Sequence, residues 1–408
     1  MTRLGRQSLT AGALAYRAQG RAVGRSANRY TLSEASGSLG DLGTFLPITV
    51  ALCVTCGLDL AVVLCGAGVM NVLSGWLFRQ PVAVQPMKAI AAVAIATGTS
   101  AATVAASGLV VGAVVLALGL LGGADRLARW VPEPVVRGLQ VGVGLKLAWS
   151  GAGLAWSMPA GQWAWVGAAA AGWGFGQLLD KWREIRGIGE GGGPALPWLL
   201  GLVGAGLGLG LWKVASGGGA MLGWPSVGVA WSTADWRSAV TGLAGAQLPM
   251  TLLNSVLAVC LLSRQLYPGR GVSPRRMAGA VGLMNLLAVP WGAMPMCHGA
   301  GGLAAQHACG ARTGGSVVML GGAKIALGLA LGGGALAVAV AFPRGLLALL
   351  LVIAGLSLAQ QGVGRLPRDS AGLAVGGGMA GAVILGQILP AVLLLSLAAR
   401  PGRREEVK

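Results

Sequence analysis

Gln85-Pro86-Met87-Lys88-Ala89-Ile90-Ala91-Ala92 decides the fold, together with its distant counterpart Met294-Pro295-Met296-Cys297-His298-Gly299-Ala300-Gly301-Gly302. Each is a short apolar stretch that opens on a proline. Proline at a first helical position loses nothing, because that N–H has no intrahelical partner anyway. The two stretches therefore read as short helices starting near Pro86 and Pro295, inside a membrane, with free N–H groups facing forward. A helix N-terminus carries about half a positive charge and unsatisfied donors. Lys88, in the first turn, adds a full charge, and a lone lysine inside a span costs about 2.5–3.5 kcal/mol or more. Two N-termini and Lys88 together suit a dianion. The alternative is that Lys88 snorkels to an interface.

Working outward, composition fixes the solvent. Of 408 residues, 55% are hydrophobic, 10% are charged and 72 are glycine. A soluble domain carries about 25% charged residues, so water-soluble architectures are excluded, and disorder needs the opposite composition. The net charge of +18 does not point to nucleic acid, because the cations sit in short breaks between apolar runs. Cys53, Cys56, Cys65, Cys260, Cys297 and Cys309 lie in or beside apolar segments and read as core residues rather than a disulfide framework.

The apolar runs number about fourteen: 42–57, 60–77, 86–98, 103–121, 133–150, 163–179, 195–214, 238–262, 275–291, 295–309, 316–336, 344–360, 370–385 and 386–399. The fold class is thus an all-α polytopic membrane protein. From a cytoplasmic N-terminus, the inside loops collect Arg126/Arg129, Lys181/Arg183/Arg186, Arg264/Arg270/Arg275/Arg276, Arg312, Arg365/Arg368 and the Arg400/Arg403/Arg404 tail. Lys213, Arg237 and Arg344 are left outside. The positive-inside rule then puts both termini in the cytoplasm, with Ser273 inside and Ser232 outside. Residues 1–37 form a basic arm, read either as a cytosolic anchor or as an organelle transit peptide.

Leu46-Pro47-Ile48-Thr49 recurs as Leu248-Pro249-Met250-Thr251, and Val69-Met70-Asn71 as Leu283-Met284-Asn285. Seven segments separate the copies, which makes the repeat inverted (38–215 and 238–400), with an extracytoplasmic linker at 216–237 and a cytoplasmic tail at 401–408. Inverted repeats with interrupted helices at matching places mark a transport site near the midplane. The two short helices would then face each other across a cavity, with Cys297, His298, Gly299 and Ala300 on the second. Gly299, Gly301 and Gly302 either admit a ligand close to backbone or serve tight helix packing.

Other polar groups inside the spans are Asp41, Thr44, Asn71, Gln140, Gln247, Thr251, Asn254, Asn285 and Lys324. Gln247, Thr251 and Asn254 recur at helical spacing and can share one cavity. Asn71 and Asn285 read as links between helices. Asp41 either caps the first helix or joins the site. His298 is the titratable group beside the expected anion; a dianion favours its charged form, while desolvation and the helix N-terminus oppose it.

Enzymatic readings are weak. His298-Gly299-Ala300-Gly301-Gly302 has no Gly-x-Ser-x-Gly nucleophile to serve, and Cys53-x-x-Cys56 has no second pair for zinc. No cofactor or metal site is expected, and no paired carboxylates are available for hydrolysis.

Ser38-Leu39-Gly40-Asp41-Leu42-Gly43-Thr44-Phe45-Leu46-Pro47-Ile48 resembles the opening motif of the molybdate transporter family, which is related to the sulfate permeases. Pro81-Val82-Ala83-Val84-Gln85-Pro86-Met87-Lys88-Ala89-Ile90-Ala91-Ala92 is similar to that family's hallmark segment, and Pro134-Val135-Val136-Arg137-Gly138-Leu139-Gln140 matches as well. Gln247-Leu248-Pro249-Met250-Thr251-Leu252-Leu253-Asn254-Ser255-Val256 and Gly292-Ala293-Met294-Pro295-Met296-Cys297-His298-Gly299-Ala300-Gly301-Gly302-Leu303-Ala304 follow in order. The resemblance implies a seven-plus-seven inverted repeat with core and gate domains and an elevator-like movement. It also implies a tetrahedral dianion between the short helices, molybdate first, with tungstate, sulfate or another oxyanion as the alternative. On that basis Asp41, Thr44, Gln85, Pro86, Met87, Lys88, Gln247, Thr251, Asn254, Cys297, His298, Gly299 and Ala300 are the expected substrate residues. The expected partners are the lipid bilayer and a second copy in a homodimer, in a cell or organelle membrane. The chain is expected to lack the regulatory domain found in sulfate permeases. Carboxylate-based proton coupling is in doubt, because the first long segment of the second half offers only Gln247, Thr251 and Asn254.

Overall fold

The structure is a computed structural model and describes residues 27–172, 197–217 and 225–398, apart from 169, 226, 365 and 386. Residues 1–26 of the basic arm, the end of the expected 163–179 segment with the Lys181/Arg183/Arg186 loop, residues 218–224 and 226 of the expected 216–237 linker, and the 401–408 tail lie outside the described residues.

Helices dominate. The first half holds α1 (Leu32–Cys56), α2 (Leu60–Phe78), α3 (Lys88–Thr97), α4 (Ala101–Leu120), α5 (Gly123–Trp130), α6 (Glu133–Trp156) and α7 (Pro197–Ser216). The second half holds α8 (Ser238–Leu266), α9 (Pro274–Ala288), α10 (Ala300–Ala308), α11 (Gly315–Leu331), α12 (Ala335–Ala341), α13 (Arg344–Val363), α14 (Ser370–Ile384) and α15 (Ile388–Ala398). Among the described residues, six stretches are long and apolar enough to cross a membrane: α1, α2, α4, α8, α13 and the run Gly315–Ala341.

Local chemistry sets the helix ends. Asp59 caps α2 by accepting from the N–H groups of Ala61 (2.8 Å) and Val62 (3.2 Å), a placement that satisfies donors no helical carbonyl can reach. Ser100 caps α4 through Thr103 N–H. Two expectations shift here. The first helix starts at Leu32, ten residues before the apolar run, because Thr31 caps it. The buried Glu34 carboxylate then ties that extension down by accepting from the N–H groups of Arg312 (3.0 Å) and Thr313 (2.8 Å).

The second shift concerns the two proline stretches. Pro86 does not open a helix. It closes a three-residue strand, β1 (Val84–Pro86), which pairs antiparallel with β2 (Met296–His298) in the register Val84↔His298, Gln85↔Cys297, Pro86↔Met296. The two short helices therefore begin later, at Lys88 and Ala300. Residues before a proline avoid the α region, which keeps Gln85 extended. Each extended stretch then finds its backbone partner in the other, and Met87 N–H extends the pairing by donating to the Pro295 carbonyl at 3.0 Å.

Two asparagines hold this strand pair from outside. Asn71 Oδ1 accepts from Val84 N–H at 2.8 Å, and Asn285 Oδ1 accepts from Met296 N–H at 2.8 Å. Around them, helices of the first half pack on helices of the second: α2 on α11, α4 on α9, and α6 on α13. Small residues let these backbones approach, as where Gly68 of α2 meets Gly321 of α11.

Candidate functional site

The strand pair and the starts of α3 and α10 bring one polar cluster together inside the bundle. Strand alternation sends neighbouring side chains to opposite faces, and Gln85 of β1 lies across from Cys297 of β2. The Gln85 amide is held at both ends. Its Nε2 donates to Asp41 Oδ1 at 2.6 Å, and its Oε1 accepts from Lys88 Nζ at 3.0 Å. Asp41 is fully buried in α1 and makes no capping bond; its carboxylate turns to the cluster instead. Lys88 likewise does not snorkel; its ammonium turns inward to Gln85.

Two glycines of the second short helix lie against this amide. A Cβ on Gly299 would collide with Gln85 Oε1, and it would stand 3.4 Å from Lys88 Nζ. A Cβ on Gly302 would stand 2.6 Å from Gln85 Nε2 and 3.1 Å from Asp41 Oδ1. Only glycine lets the α10 backbone come this close to the amide. Gly301 points elsewhere, toward Leu147 and Leu358. The Lys88 ammonium is therefore a direct neighbour of the α10 N-terminus, where positive ends add.

The two helix starts differ. Gln247 Oε1, from α8, accepts from the N–H groups of Ala89 (2.8 Å) and Ile90 (3.2 Å) and so caps α3, while its Nε2 donates to Thr251 Oγ1 at 2.9 Å. The donors expected to be free on the first short helix are thus largely taken. The α10 start, with Gly299 at its cap position, has no side-chain cap. The Gln247–Thr251 bond places both residues on one face, as their spacing suggested. Past Pro249, which supplies no N–H, α8 widens into π-turns over Thr251–Ala258, a feature often found at functional sites. Asn254 Oδ1 and Thr44 Oγ1 are buried without a hydrogen-bond partner.

His298 stands apart. In β2 it points to the face opposite Cys297, where Nδ1 sits 3.1 Å from the Ala83 carbonyl and the ring meets Phe78 edge-on at 5.4 Å. It precedes α10 rather than sitting in its first turn. Pro86, Met87 and Ala300 contribute backbone to the pairing and the helix start; Met87 is buried.

One cluster member went unassigned in the sequence. Lys324 of α11 places Nζ 3.7 Å from Asp41 Oδ2 and 3.3 Å from the centre of the Phe45 ring. The signal was present, since a lone lysine in an apolar segment is the criterion that singled out Lys88.

A family model described as "Molybdate transporter of MFS superfamily" matches residues 33–147 and 239–358, stretches that contain every polar cluster residue named above. Molybdate transporter 1 of Arabidopsis thaliana is 34% identical over 368 residues, covering 81% of this chain and 80% of that protein. Molybdate transporter 1 of Chlamydomonas reinhardtii is 35% identical, covering 81% of this chain and 83% of its own length. Among solved structures, the transmembrane domain of the cyanobacterial bicarbonate transporter BicA gives a TM-score of 0.53 at 16% identity, covering 90% of this chain and 98% of that one. The murine Slc26a9 anion transporter in its inward-facing state gives 0.60 at 14% identity, covering 91% and 69%. Identities this low speak for the fold alone, but the family model and the curated relatives go further: this membrane protein is a transporter rather than an enzyme, and it belongs to the molybdate transporter family.

Proposed function

We propose that the chain carries molybdate, bound as a tetrahedral dianion between the starts of α3 and α10, in an inverted seven-plus-seven repeat whose core moves against a gate. The observation that carries this reading is the Lys88 ammonium set beside the uncapped α10 N-terminus. Lys88 is the half-buried member of the charged cluster, whereas Asp41 and Lys324 are buried, so Lys88 is the charge an entering anion can reach. Lys88 contributes one positive charge and each helix start about half of one, a sum that suits a dianion. The Gln247 cap on α3 makes the α10 side the stronger half of the site in this conformation. Full use of α3 requires Gln247 to release Ala89 and Ile90.

The inverted repeat is supported by matched devices in the two halves. Asn71 and Asn285 hold equivalent strands by the same bond, and Pro47 and Pro249 sit inside long helices. Molybdate as the cargo follows the names of the relatives. Sulfate has the same charge and shape, so the deciding experiment is a titration of the purified protein with molybdate, followed by competition with sulfate and phosphate. Saturable molybdate binding that equimolar sulfate displaces poorly is the expected result. Tighter sulfate binding reassigns the cargo, and the absence of any saturable oxyanion binding removes the reading.

A further inference from the structure

Three charged side chains meet inside the bundle, and their order in space matters more than their sum. Lys324 Nζ lies 3.7 Å from Asp41 Oδ2, beyond hydrogen-bond reach, so the two interact as charges. Asp41 Oδ1 receives Gln85 Nε2, and Gln85 Oε1 receives Lys88 Nζ. The sequence of groups is therefore cation, carboxylate, neutral amide, cation, with only the last partly accessible.

The far side of Lys324 is apolar. A cavity of about 130 Å³ opens there, lined by residues such as Leu42, Leu64, Val203, Leu207 and Val338, and the Phe45 ring lies under the ammonium. Asp41 is the ionic partner of Lys324 among the described residues. A lysine this deep in an apolar environment is costly unless its charge is used, and a carboxylate this close to an anion site repels the anion unless it is balanced.

We propose that Lys324 is a positioning residue of the anion site, acting through Asp41. Its ammonium balances the Asp41 carboxylate, so that Asp41 can fix the Gln85 amide without drawing Lys88 into an ion pair or repelling the bound anion. Lys88 then keeps its charge for the anion. This role rests on the oxyanion site proposed above, and it assigns to Lys324 no contact with the cargo.

The test is molybdate titration of the full-length protein in detergent as wild type, Lys324→Gln, Lys324→Arg and the double variant Asp41→Asn/Lys324→Gln, with the melting of each recorded without anion. Lys324→Gln is expected to weaken binding about tenfold or more, because the unbalanced carboxylate charge faces the anion across one amide. The double variant is expected to recover to within about threefold of wild type, since replacing both partners of a buried pair is far milder than removing one. The amide oxygen introduced by Asp41→Asn can still accept from Gln85. Lys324→Arg is expected to keep binding. A folded double variant as weak as Lys324→Gln overturns the proposal, because packing or direct contact, rather than charge balance, would then explain Lys324. Unchanged affinity in Lys324→Gln overturns it too. If Lys324→Gln does not fold, the double variant decides alone: folded but unable to bind, it sinks the proposal. Wild-type protein that binds sulfate and not molybdate fails the cargo assignment only, and the same series is then read with sulfate.

Discussion

Lys88 occupies the point where the two short helices, the strand pair and α1 converge, and its neighbours define what it can do. Its ammonium donates to Gln85 Oε1 and lies against the start of α10. A hydrogen bond to a charged group contributes about 1.5–3 kcal/mol, so Lys88→Ala is expected to weaken molybdate binding roughly ten- to hundredfold. The melting temperature without anion should change little, because removing a partly desolvated cation is not costly in itself. Equal affinity in wild type and Lys88→Ala would show that the ammonium does not touch the anion. Lys88 was legible in the sequence because an isolated charge in an apolar run needs a cause. Lys324 met the same criterion, but its meaning depends on Asp41, a partner far away in the chain that no local pattern connects to it. His298 was placed differently by the sequence for another reason. A first-turn position would aim it at the site, whereas the extended backbone turns it to Phe78 and Ala83.

The unit that separates expectation from structure is the element joining residues 84–86 to 296–298. Three-residue strands are too short to show alternation, and a proline before an alanine-rich run reads equally well as a helix start. What was legible was the pairing of the two stretches across the molecule; what was not was that they pair through their backbones. The α10 glycines show how tight that arrangement is. An alanine at 302 places its Cβ 2.6 Å from Gln85 Nε2, whereas an alanine at 301 meets the flexible ends of Leu147 (3.0 Å) and Leu358 (3.7 Å). Both changes raise helix propensity alike, so any difference between them reports position. Overpacking of this kind costs about 1–3 kcal/mol, so Gly302→Ala should weaken molybdate binding about fivefold or more and Gly301→Ala distinctly less. Titration of both variants checks this, and equal losses would mean that the Gln85 amide is not part of the binding geometry.

At the scale of the whole molecule, the six long apolar helices were readable along the chain, because each needs its own run of residues that tolerate lipid. Which helices touch was not readable, since α2 meets α11 and α4 meets α9 across long stretches of sequence. Sidedness is the property on which the inverted arrangement depends, and α8 offers the cleanest place to measure it. This helix has 29 residues, a length of roughly 40 Å at about 1.5 Å per residue, more than the ~30 Å apolar core of a bilayer. It is long enough to cross, and its two ends are expected to open on opposite sides. Ser232, before α8, is exposed and accepts a cysteine without disturbing a cap. At the other end Ser273 is the N-cap of α9, accepting from Arg276 N–H, so the exposed Pro268 is the better position for the second cysteine. From the basic residues Arg264, Arg270, Arg275 and Arg276 around it, the positive-inside rule predicts that this end lies in the cytoplasm. A membrane-impermeant maleimide should then label Ser232→Cys in intact cells and Pro268→Cys only after the membrane is opened, against the background of the unsubstituted protein. Labelling of both from the same side would mean that α8 does not cross. The second half could not then run opposite to the first, and the inverted symmetry proposed for the two short helices would fail with it.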